Sequence, residues 1–424
     1  MIYNEGQYNS HWDTCKLSDL GTFARGVSKH RPRNDPRLFE GGGYPLVQTG
    51  EIKSASLYIT HHTQEYGEFG LRQSKLWNTN TLCITIAANI AETAILSYPM
   101  CFPDSVVGFV ADKTKSSELF MYYVFDYIRN AIQNAASGSI QDNINIDYLT
   151  SLDFKVPSKV EQDKIVAVLS AIDKKLLLNN RINDNLQQVI NTLYDYWFTQ
   201  FDFPDAQGKP YRASGGQMVW NEQLKRNIPA NWTVGSLVDN PLSTVIKPGI
   251  DMFDTKEYLA TAEVNGTTIS RGTIIEYATR ESRANMQPTV NSVWFAKMKN
   301  SIKHLYLNAE MLPIIRTTIL STGFCGIQCT DISFEFIASF IENKYFETIK
   351  DILAHGATQE AVNNEDLDAI RFAVPPSEIL ERYHSITQSL YARISKNICE
   401  NRRLIALRDW LLPMLMNGQA TVTD

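Results

Sequence analysis

The sequence predicts an α+β protein in which a long antiparallel two-helix coiled coil joins two mixed α/β domains as a pseudo-two-fold tandem repeat. Three observations predict this fold. A shift of 218 residues aligns the chain with itself. Short β-branched and aromatic runs fill the part of each copy that differs, and two later segments follow a seven-residue apolar period.

Length and composition set the limits for this fold. The chain has 424 residues, 44% of them hydrophobic, and 40 Lys and Arg against 46 Asp and Glu give a formal net charge of −6. These values predict a globular protein of two to four domains. No apolar stretch is long enough to span a membrane, and six scattered cysteines are typical of a reducing compartment, so a cytoplasmic location is expected. The mild acidity argues against a uniformly basic nucleic-acid binder but not against local basic patches.

The repeat is clearest where residues 136–157 align with residues 354–375, with eight of 22 positions identical. A W-x4-L pattern also recurs upstream, at Trp12 and Trp232. The identical pairs include Gly138/Gly356, Gln141/Gln359 and Pro157/Pro375, so each copy carries a Gly-x-x-Gln motif and a strand ending in Val-Pro. Two copies of this length indicate pseudo-two-fold symmetry of whole domains rather than a solenoid.

Each part of the chain then has a predicted role. Runs such as TLCITIAANI and NSVWF indicate strands in both differing parts, each followed by a helical stretch, 118–135 and 334–354. A stretch rich in Pro, Gly and polar residues separates the two copies and reads as a linker with turns. The predicted boundaries are 1–158 for the first domain, 159–200 for the first helix, 201–231 for the linker, 232–376 for the second domain and 377–418 for the second helix.

The helical segments carry coiled-coil heptads. The first series is Ile165, Ile172, Asn179, Leu186 and Leu193, and the second is Tyr383, Leu390, Asn397, Leu404 and Leu411. Asn179 and Asn397 fall on the same position, with Asn183 and Asn401 one turn later. Asparagine in such a seam fixes the register of the helices at a cost in stability. The alternative is a pair of amphipathic surface helices that tolerate asparagine. An antiparallel pair is expected because the chain must leave along one helix and return along the other.

Signatures of catalysis are missing from the sequence. There is no phosphate-binding loop and no Gly-rich turn suited to a nucleotide or methyl donor. A loose nuclease-like pattern runs from Pro103-Asp104 to Asp153-Phe154-Lys155, but Asp153 aligns with Arg371 in the other copy. The chain is therefore predicted to be non-catalytic and to bind no metal or cofactor itself.

Basic residues cluster in the two differing parts. Arginine and lysine reach phosphates and guanine edges, and Gln and Asn reach adenine edges, so these clusters are candidates for DNA contact. The competing interpretation is an ordinary solvated surface. The candidate residues are Arg25, Lys29, Arg31, Arg33, Arg72, Gln73 and Lys75 in copy one, and Arg271, Arg280, Arg283, Asn285 and Lys297 in copy two.

Three stretches resemble the specificity subunit of Type I restriction–modification systems. They are VPSKVEQDKIVAVLSAIDKKLLLNNRIN (156–183), the segment from YDYWF to NIPANW (194–232), and GATQEAVNNEDLDAIRFAVPP (356–376). The resemblance extends over essentially the whole chain. Copy two departs from the family pattern at Ile379-Leu380, where copy one has Glu161-Gln162, so a partner contact made through Glu161 and Gln162 would be asymmetric.

The resemblance implies a function in host defence. Each differing part would be a target-recognition domain that binds one half of a bipartite sequence in double-stranded DNA, and the coiled coil would set the spacer. Two methyltransferase subunits would dock on the helices and methylate adenine with S-adenosylmethionine, and restriction subunits using ATP and Mg²⁺ would complete the complex. Two alternatives stay open: a coiled-coil adaptor that does not read DNA, and a DNA-modifying enzyme with an unrecognised site.

Overall fold

The computed structural model describes residues 2–87, 89–137, 144–356 and 359–423. Gly138 and Gln141 of the first Gly-x-x-Gln motif lie outside the described residues. The chain divides into two compact units: unit 1 comprises residues 1–177 and 404–424, and unit 2 comprises residues 178–403. Within the described residues, no helix has the length and apolar character needed to cross a membrane.

Unit 1 builds two sheets on a small two-stranded ladder. Its strands are β1 Asp13–Lys16, β2 Gly21–Arg25, β3 Tyr44–Leu46, β4 Tyr58–Ile59, β5 Gln64–Tyr66, β6 Leu76–Trp77, β7 Leu82–Thr85, β8 Thr93–Leu96, β9 Met100–Cys101, β10 Val106–Ala111 and β11 Asp153–Val156. Its helices are α1 Thr49–Ser54, α2 Glu68–Arg72, α3 Glu118–Ser137, α4 Ile146–Ser151 and the first part of α5 Lys159–Tyr194. The sheet orders are β2-β10-β7-β8-β4 and β5-β3-β9-β6, and β1 pairs with β11.

Unit 2 repeats this plan with different strands. They are β12 Met218–Asn221, β13 Arg226–Pro229, β14 Thr233–Ser236, β15 Ser243–Val245, β16 Thr255–Leu259, β17 Val264–Asn265, β18 Thr268–Ile269, β19 Thr273–Glu276, β20 Ala284–Met286, β21 Ser292–Ala296, β22 His304–Leu307, β23 Thr318–Ser321, β24 Phe324–Cys329 and β25 Arg371–Val374. The helices are α6 Leu312–Thr317, α7 Phe334–Glu342, α8 Lys344–Leu353 and α9 Ser377–Met416, whose last part belongs to unit 1. The larger sheets run β15-β24-β21-β22 and β19-β16-β23-β20.

The constant part of the repeat has the same backbone pairing in both units. β1 pairs antiparallel with β11, with Asp13 opposite Val156, and β14 pairs antiparallel with β25, with Thr233 opposite Val374. Trp12 and Trp232, which precede these strands, are both buried. The mixed α+β fold with tandem domains is thus confirmed, because the aligned Val-Pro strands adopt equivalent structures.

The helices that pack on the sheets differ between the units. In unit 1, α3 is a single helix that buries Phe120 and Phe125. In unit 2, the stretch predicted as one helix over 334–354 is divided into α7 and α8. Asn343 separates them because its side-chain oxygen accepts a hydrogen bond from the backbone N–H of Tyr345 and so caps α8.

The long helices run antiparallel within each unit. In unit 2, Asn179 on α5 contacts Asn401 on α9, while Asn183, further along α5, contacts Asn397, earlier on α9. In unit 1, Leu169 on α5 shares the core with residues near the end of α9. Residue numbers that rise along one helix and fall along the other define an antiparallel pair, as the sequence predicted.

The segment 201–231, expected to be a linker with turns, has a packed structure of its own. It contains the β12–β13 hairpin, and Phe201 and Phe203 are buried. Phe203 stacks on Tyr211 and on Trp232, with ring centroids 4.7 and 5.3 Å apart. The turns inferred from Pro and Gly are present, but the aromatic residues between them anchor the segment to the core of unit 2.

Candidate nucleic-acid interface

Unit 1 brings two of the predicted basic clusters together. The loop after β2 packs against the end of α2, where the backbone N–H of Lys29 donates to the carbonyl oxygen of Gln73 at 3.0 Å. The hydroxyl of Ser74 donates to the carbonyl oxygen of Val27 at 2.9 Å. Residues 25–37 and 72–75, which are well separated in the sequence, therefore form one polar and basic surface.

Asp104 orients three of the candidate arginines. Arg33 Nη2 lies 2.5 Å from one carboxylate oxygen and Arg31 Nη2 lies 3.4 Å from the other. Arg25 Nε donates to the backbone carbonyl of Asp104 at 2.5 Å. One carboxylate cannot neutralise two guanidinium groups, so the surface keeps an excess of positive charge. Asp104 belonged to the weak nuclease-like pattern, and its contacts give it a positioning role instead.

Two further basic side chains of this surface are held in place by aromatic rings. Arg37 forms an ion pair with Asp35 at 2.6 Å and lies 5.7 Å from the centre of the Phe69 ring. The hydrogen bonds from Arg37 hold the pKa of the Asp35 carboxyl well below its usual range. Lys75 Nζ lies 3.7 Å from the centre of the Trp77 ring. Such contacts reduce the entropy that a long side chain loses when it binds a ligand.

A groove of about 840 Å³ runs beside these arginines. Arg33, Asn34 and Arg37 line one part of it, and Gln48 and Gln64 line another. The Gln48 side-chain N–H donates to the Gln64 side-chain oxygen at 2.5 Å, and the Gln48 side chain also accepts from the backbone N–H of Glu51 in the capping box that begins α1. The sequence interpretation missed both glutamines, since nothing in the sequence separates them from other surface glutamines.

In unit 2, two candidate residues meet at the turn between β23 and β24. The backbone N–H of Thr322 donates to the carbonyl of Arg283 at 2.9 Å, and the backbone N–H of Lys297 donates to the carbonyl of Gly323 at 3.0 Å. The space over Gly323 is bounded by Arg283 Nη2, which would lie 3.6 Å from a Cβ added there. The guanidinium of Arg283 and the backbone of Lys297 thus meet at this turn.

The other candidates of unit 2 are more dispersed. Arg271 is exposed before β19, and Arg280 follows β19 with its guanidinium 4.0 Å from the centre of the Tyr277 ring. Asn285 lies in β20, where its carbonyl accepts from Gly249 N–H. The structure therefore does not gather the unit 2 candidates into one groove of the kind found in unit 1, within the residues it describes.

The asparagines of the long helices bond to one another within unit 2. Asn179 Nδ2 donates to Asn401 Oδ1 at 2.9 Å and to Glu400 Oε2 at 2.8 Å, and Asn397 Nδ2 donates to Asn183 Oδ1 at 2.8 Å. The bonds Asn179 to Asn401 and Asn397 to Asn183 are equivalent under the 218-residue repeat. Asn179 and Asn397 are fully buried, and the Asn179 Oδ1 has no hydrogen-bond partner among the described residues.

Gln162 has a structural role. Its side-chain oxygen accepts from the hydroxyl of Ser116 at 2.9 Å, and its N–H donates to the carbonyls of Lys115 and Pro157 at 3.0 Å. This buried side chain ties the start of α5 to the segment between β10 and α3, so it is not available to a partner. At the equivalent position Leu380 fills the space with apolar packing.

No metal-binding cluster of three or more His, Cys, Asp or Glu side chains occurs in the part of the chain that the structure describes. Asp153, the second element of the nuclease-like pattern, lies in β11.

Comparison with known proteins gives a consistent result. Residues 9–188 match the family model of the Type I restriction modification DNA specificity domain. The chain is 23% identical over 442 residues to the Type I restriction enzyme MjaIX specificity subunit of Methanocaldococcus jannaschii. This alignment covers 99% of this chain and 96% of that protein. It is 22% identical to the HindI specificity subunit of Haemophilus influenzae, over 68% of this chain and 73% of that protein.

The fold also has a counterpart among solved structures. The chain is similar to the crystal structure of the Type I restriction–modification system S subunit from M. genitalium, with a TM-score of 0.55 and 15% sequence identity over 100% of both chains. At this identity the likeness concerns the fold: mixed α/β domains in tandem and long helices.

Proposed function

The chain belongs to the Type I restriction–modification specificity subunits, and from this premise we propose that each unit binds one half of a bipartite target in double-stranded DNA. The observation that carries the proposal is the groove of unit 1, where oriented arginines border a pair of glutamine amides. This surface belongs to the part of the repeat that differs between the two copies. Two domains that bind different DNA sequences must differ in their contact surfaces.

The two kinds of side chain would have different tasks. Arg25, Arg31 and Arg33 would contact phosphates and fix the position of the DNA, a contribution that depends on salt and not on sequence. Gln48 and Gln64 would contact base edges, because a glutamine amide pairs in two places with adenine N6 and N7. A good pair of this kind discriminates against the wrong base by about 1–3 kcal/mol.

In unit 2, the corresponding contacts would come from Arg283 and Lys297 at the β23–β24 turn. Arg271, Arg280 and Asn285 would extend this surface. Lys29, Arg72, Gln73 and Lys75 would do the same in unit 1. We give the lysines and arginines of this set the phosphate-contacting task, since single cations contact phosphates without reading the sequence.

The antiparallel helices would set the spacer between the half-sites and dock two methyltransferase subunits. This chain would be non-catalytic and would bind no cofactor. S-adenosylmethionine would be held by the methyltransferase subunits, and ATP and Mg²⁺ by the restriction subunits of the same cytoplasmic complex. The buried Asn179 and Asn397 support this role, because hydrogen-bonded asparagines in a helical seam favour one register.

The experiment that tests the proposal is sequencing of methylated bases in cells with and without the gene. We expect one bipartite motif to be methylated only when the chain is present. If the chain formed a complex with a methyltransferase and no motif depended on it, it would be an adaptor that does not read DNA. Methyl transfer by the purified chain alone, with DNA and S-adenosylmethionine, would instead identify an enzyme.

Two sets of variants separate positioning from reading. Arg31→Ala with Arg33→Ala should weaken binding to all DNA and lower the slope of log affinity against log salt by about 1 to 2, because two phosphate contacts are lost. Lys209→Ala with Lys225→Ala, two exposed cations of the 201–231 segment, is the matched control.

Gln48→Leu with Gln64→Leu should relax one base position in a single half of the methylated motif and leave the other half unchanged. Gln207→Leu with Gln223→Leu, two exposed glutamines away from the groove, is the matched control. A motif identical to that of the unaltered protein would show that the two glutamines do not read bases.

A further inference from the structure

The strand β11 of unit 1 is covered on both of its edges. One edge of β11 pairs with β1, and the extended segment of residues 2–4 lies along the other edge. Ile2 forms a parallel bridge with Asp153, and the backbone N–H of Tyr3 donates to the carbonyl of Asp153 at 3.2 Å. The segment thus acts as an additional short strand.

Asn4 completes this added strand with its side chain. Its Nδ2 donates to the carbonyl of Lys155 at 2.8 Å, and its Oδ1 accepts from the backbone N–H of Lys155 at 2.7 Å. A side-chain amide here takes the place of a backbone amide. The outward-facing carbonyl of Asp153 and both backbone groups of Lys155 are therefore hydrogen-bonded, as buried strand edges require.

The equivalent strand of unit 2 has a different neighbour. β25 pairs with β14 in the same register as β11 with β1, so its Arg371 and Ala373 correspond to Asp153 and Lys155. The residues that precede Trp232 form the β12–β13 hairpin and do not run along β25 as an added strand. A cavity of about 190 Å³ lies at this edge, with Arg371, Phe372 and Ala373 in its wall.

The rest of the cavity wall is mostly aromatic and includes the cation of Arg226. Arg226 Nη2 donates to the carbonyl of Thr199 at 2.5 Å, and its guanidinium lies 4.6 Å from the centre of the Phe201 ring. No carboxylate lies within ion-pair distance of Arg226 among the described residues. Burial, with the nearby charge of Arg212, lowers the pKa of Arg226, as expected for a cation that lacks a counter-ion. The aromatic members of the wall are Tyr194, Phe198, Phe201, Phe340, Tyr345 and Phe372.

We propose that this edge of β25 binds an extended segment of a partner polypeptide, which adds as a strand, places an apolar or aromatic side chain in the cavity and pairs a carboxylate with Arg226. The precedent is residues 2–4 on β11, and strand addition to an exposed edge is a general mode of peptide recognition. The backbone N–H and C=O groups of the edge favour a peptide over a nucleotide.

The inference rests on the proposed function for the identity of the partner, which we take to be a methyltransferase subunit of the complex. It also has a consequence for symmetry. Because residues 2–4 already cover the equivalent edge of unit 1, one chain binds one such segment. Two methyltransferase subunits on this chain would then make unequal contacts, even though the repeat offers them similar helices.

The test uses the full chain and its methyltransferase partner. Arg226→Glu should weaken their association about tenfold or more, because it opposes the carboxylate of the segment with a like charge, whereas Arg226→Lys should retain most of the affinity. Lys225→Glu, the neighbouring and exposed cation outside the cavity wall, is the matched control and should leave the affinity unchanged.

A second measurement does not depend on substitutions. Hydrogen exchange of the free chain and of the complex should show that the amide of Ala373 becomes protected when the partner binds, while the amide of Lys155 is protected in both. If the partner bound normally, without protection of Ala373 and with equal affinities for Arg226→Glu and Lys225→Glu, the inference would be wrong and the proposed function would stand. If no methyltransferase bound the unaltered chain, both would fail. Protection of Ala373 by DNA alone would identify a nucleic-acid site and overturn the inference.

Discussion

Unit 1 and unit 2 each place a tryptophan ring over the same glycine of the repeat, but they take the ring from different strands. A Cβ added to Gly108 would lie 2.7 Å from Cζ3 of Trp77, and one added to Gly326 would lie 2.5 Å from Cζ3 of Trp294. Trp294 belongs to β21, which pairs with β24, whereas Trp77 belongs to β6 of the second sheet of unit 1. The glycine occupies the same position in both copies of the repeat, but the strand that supplies the tryptophan packed against it differs.

The helices differ between the units in a similar way. Asp173 of unit 1 lies 3.3 Å from Arg408 and accepts from the hydroxyl of Tyr123 at 2.6 Å. The residue equivalent to Asp173 in unit 2 is Tyr391, whose hydroxyl lies 3.0 Å from that of Ser339. A charged contact and a neutral contact thus occupy the same position of the repeat, and each can be broken without touching the other.

The largest effect is expected from Arg408→Met in unit 1. The substitution leaves the buried carboxylate of Asp173 without its cation and should destabilise unit 1 by about 3 kcal/mol. Amide exchange in β7 and β10 of unit 1 would report the loss, and β21 and β24 of unit 2 should be unaffected. Arg403→Met, an exposed arginine of the same helix, is the control. Equal losses in both units would show that the two contacts are not independent.

Alanine at the shared glycines should have the next largest effect. Gly108→Ala and Gly326→Ala each force a methyl group into a tryptophan ring and should cost about 1–3 kcal/mol, each in its own unit. Thermal unfolding followed by tryptophan fluorescence measures the loss. Gly50→Ala, where a Cβ would meet nothing within 4 Å, should cost nothing. A neutral result at Gly326 would mean that the Trp294 ring moves freely.

Leucine at the shared asparagines acts in the opposite direction. Asn179→Leu with Asn397→Leu removes an unsatisfied buried oxygen and adds apolar contacts, so the free energy of unfolding should rise by about 1 kcal/mol. The register of the helices should become less specific. Chemical denaturation and a crystal structure check the two parts, with Asn185→Leu on the exposed helix surface as control. An unchanged register would remove the specifying role of the asparagines.

The smallest effect is a pH dependence limited to unit 2. The ring nitrogens of buried His304 lie 2.9 Å from a Glu342 oxygen and 2.8 Å from a Glu347 oxygen. Burial alone would lower the pKa of His304, but the hydrogen bonds to the two carboxylates raise it above its ordinary value. In unit 1, strand pairing places the buried and non-titrating Thr93 at the equivalent position.

Because the folded pKa of His304 is the higher one, its stabilising contribution is complete below about pH 6.5 and is lost as the pH rises through the folded value. Denaturation of unit 2 should therefore become easier from neutral to alkaline pH, and His304→Gln should reduce this dependence. A dependence of the same size in unit 1 would point to another group.

The parts of the fold that the sequence revealed are those held by local pattern. The heptads predicted Asn179 and Asn397 in the helical seam, and the repeat aligned the sequence of β11 with that of β25. The features it did not reveal depend on contacts between distant residues. Gln48 and Gln64 meet across a loop, Gln162 is buried by Ser116, and aromatic stacking folds the segment 201–231. Residue type and spacing alone carry no information on these contacts.

Unit 1 is built from two separate segments of the chain, and this determines when its core can be completed during synthesis. Its core includes Leu412, Leu415 and Met416, which are translated after all of unit 2, while unit 2 is one continuous stretch. Unit 1 therefore cannot complete its core before the end of α9 has been synthesised, and part of its apolar surface stays uncovered until then. The half of the chain that is made first is the half that is finished last.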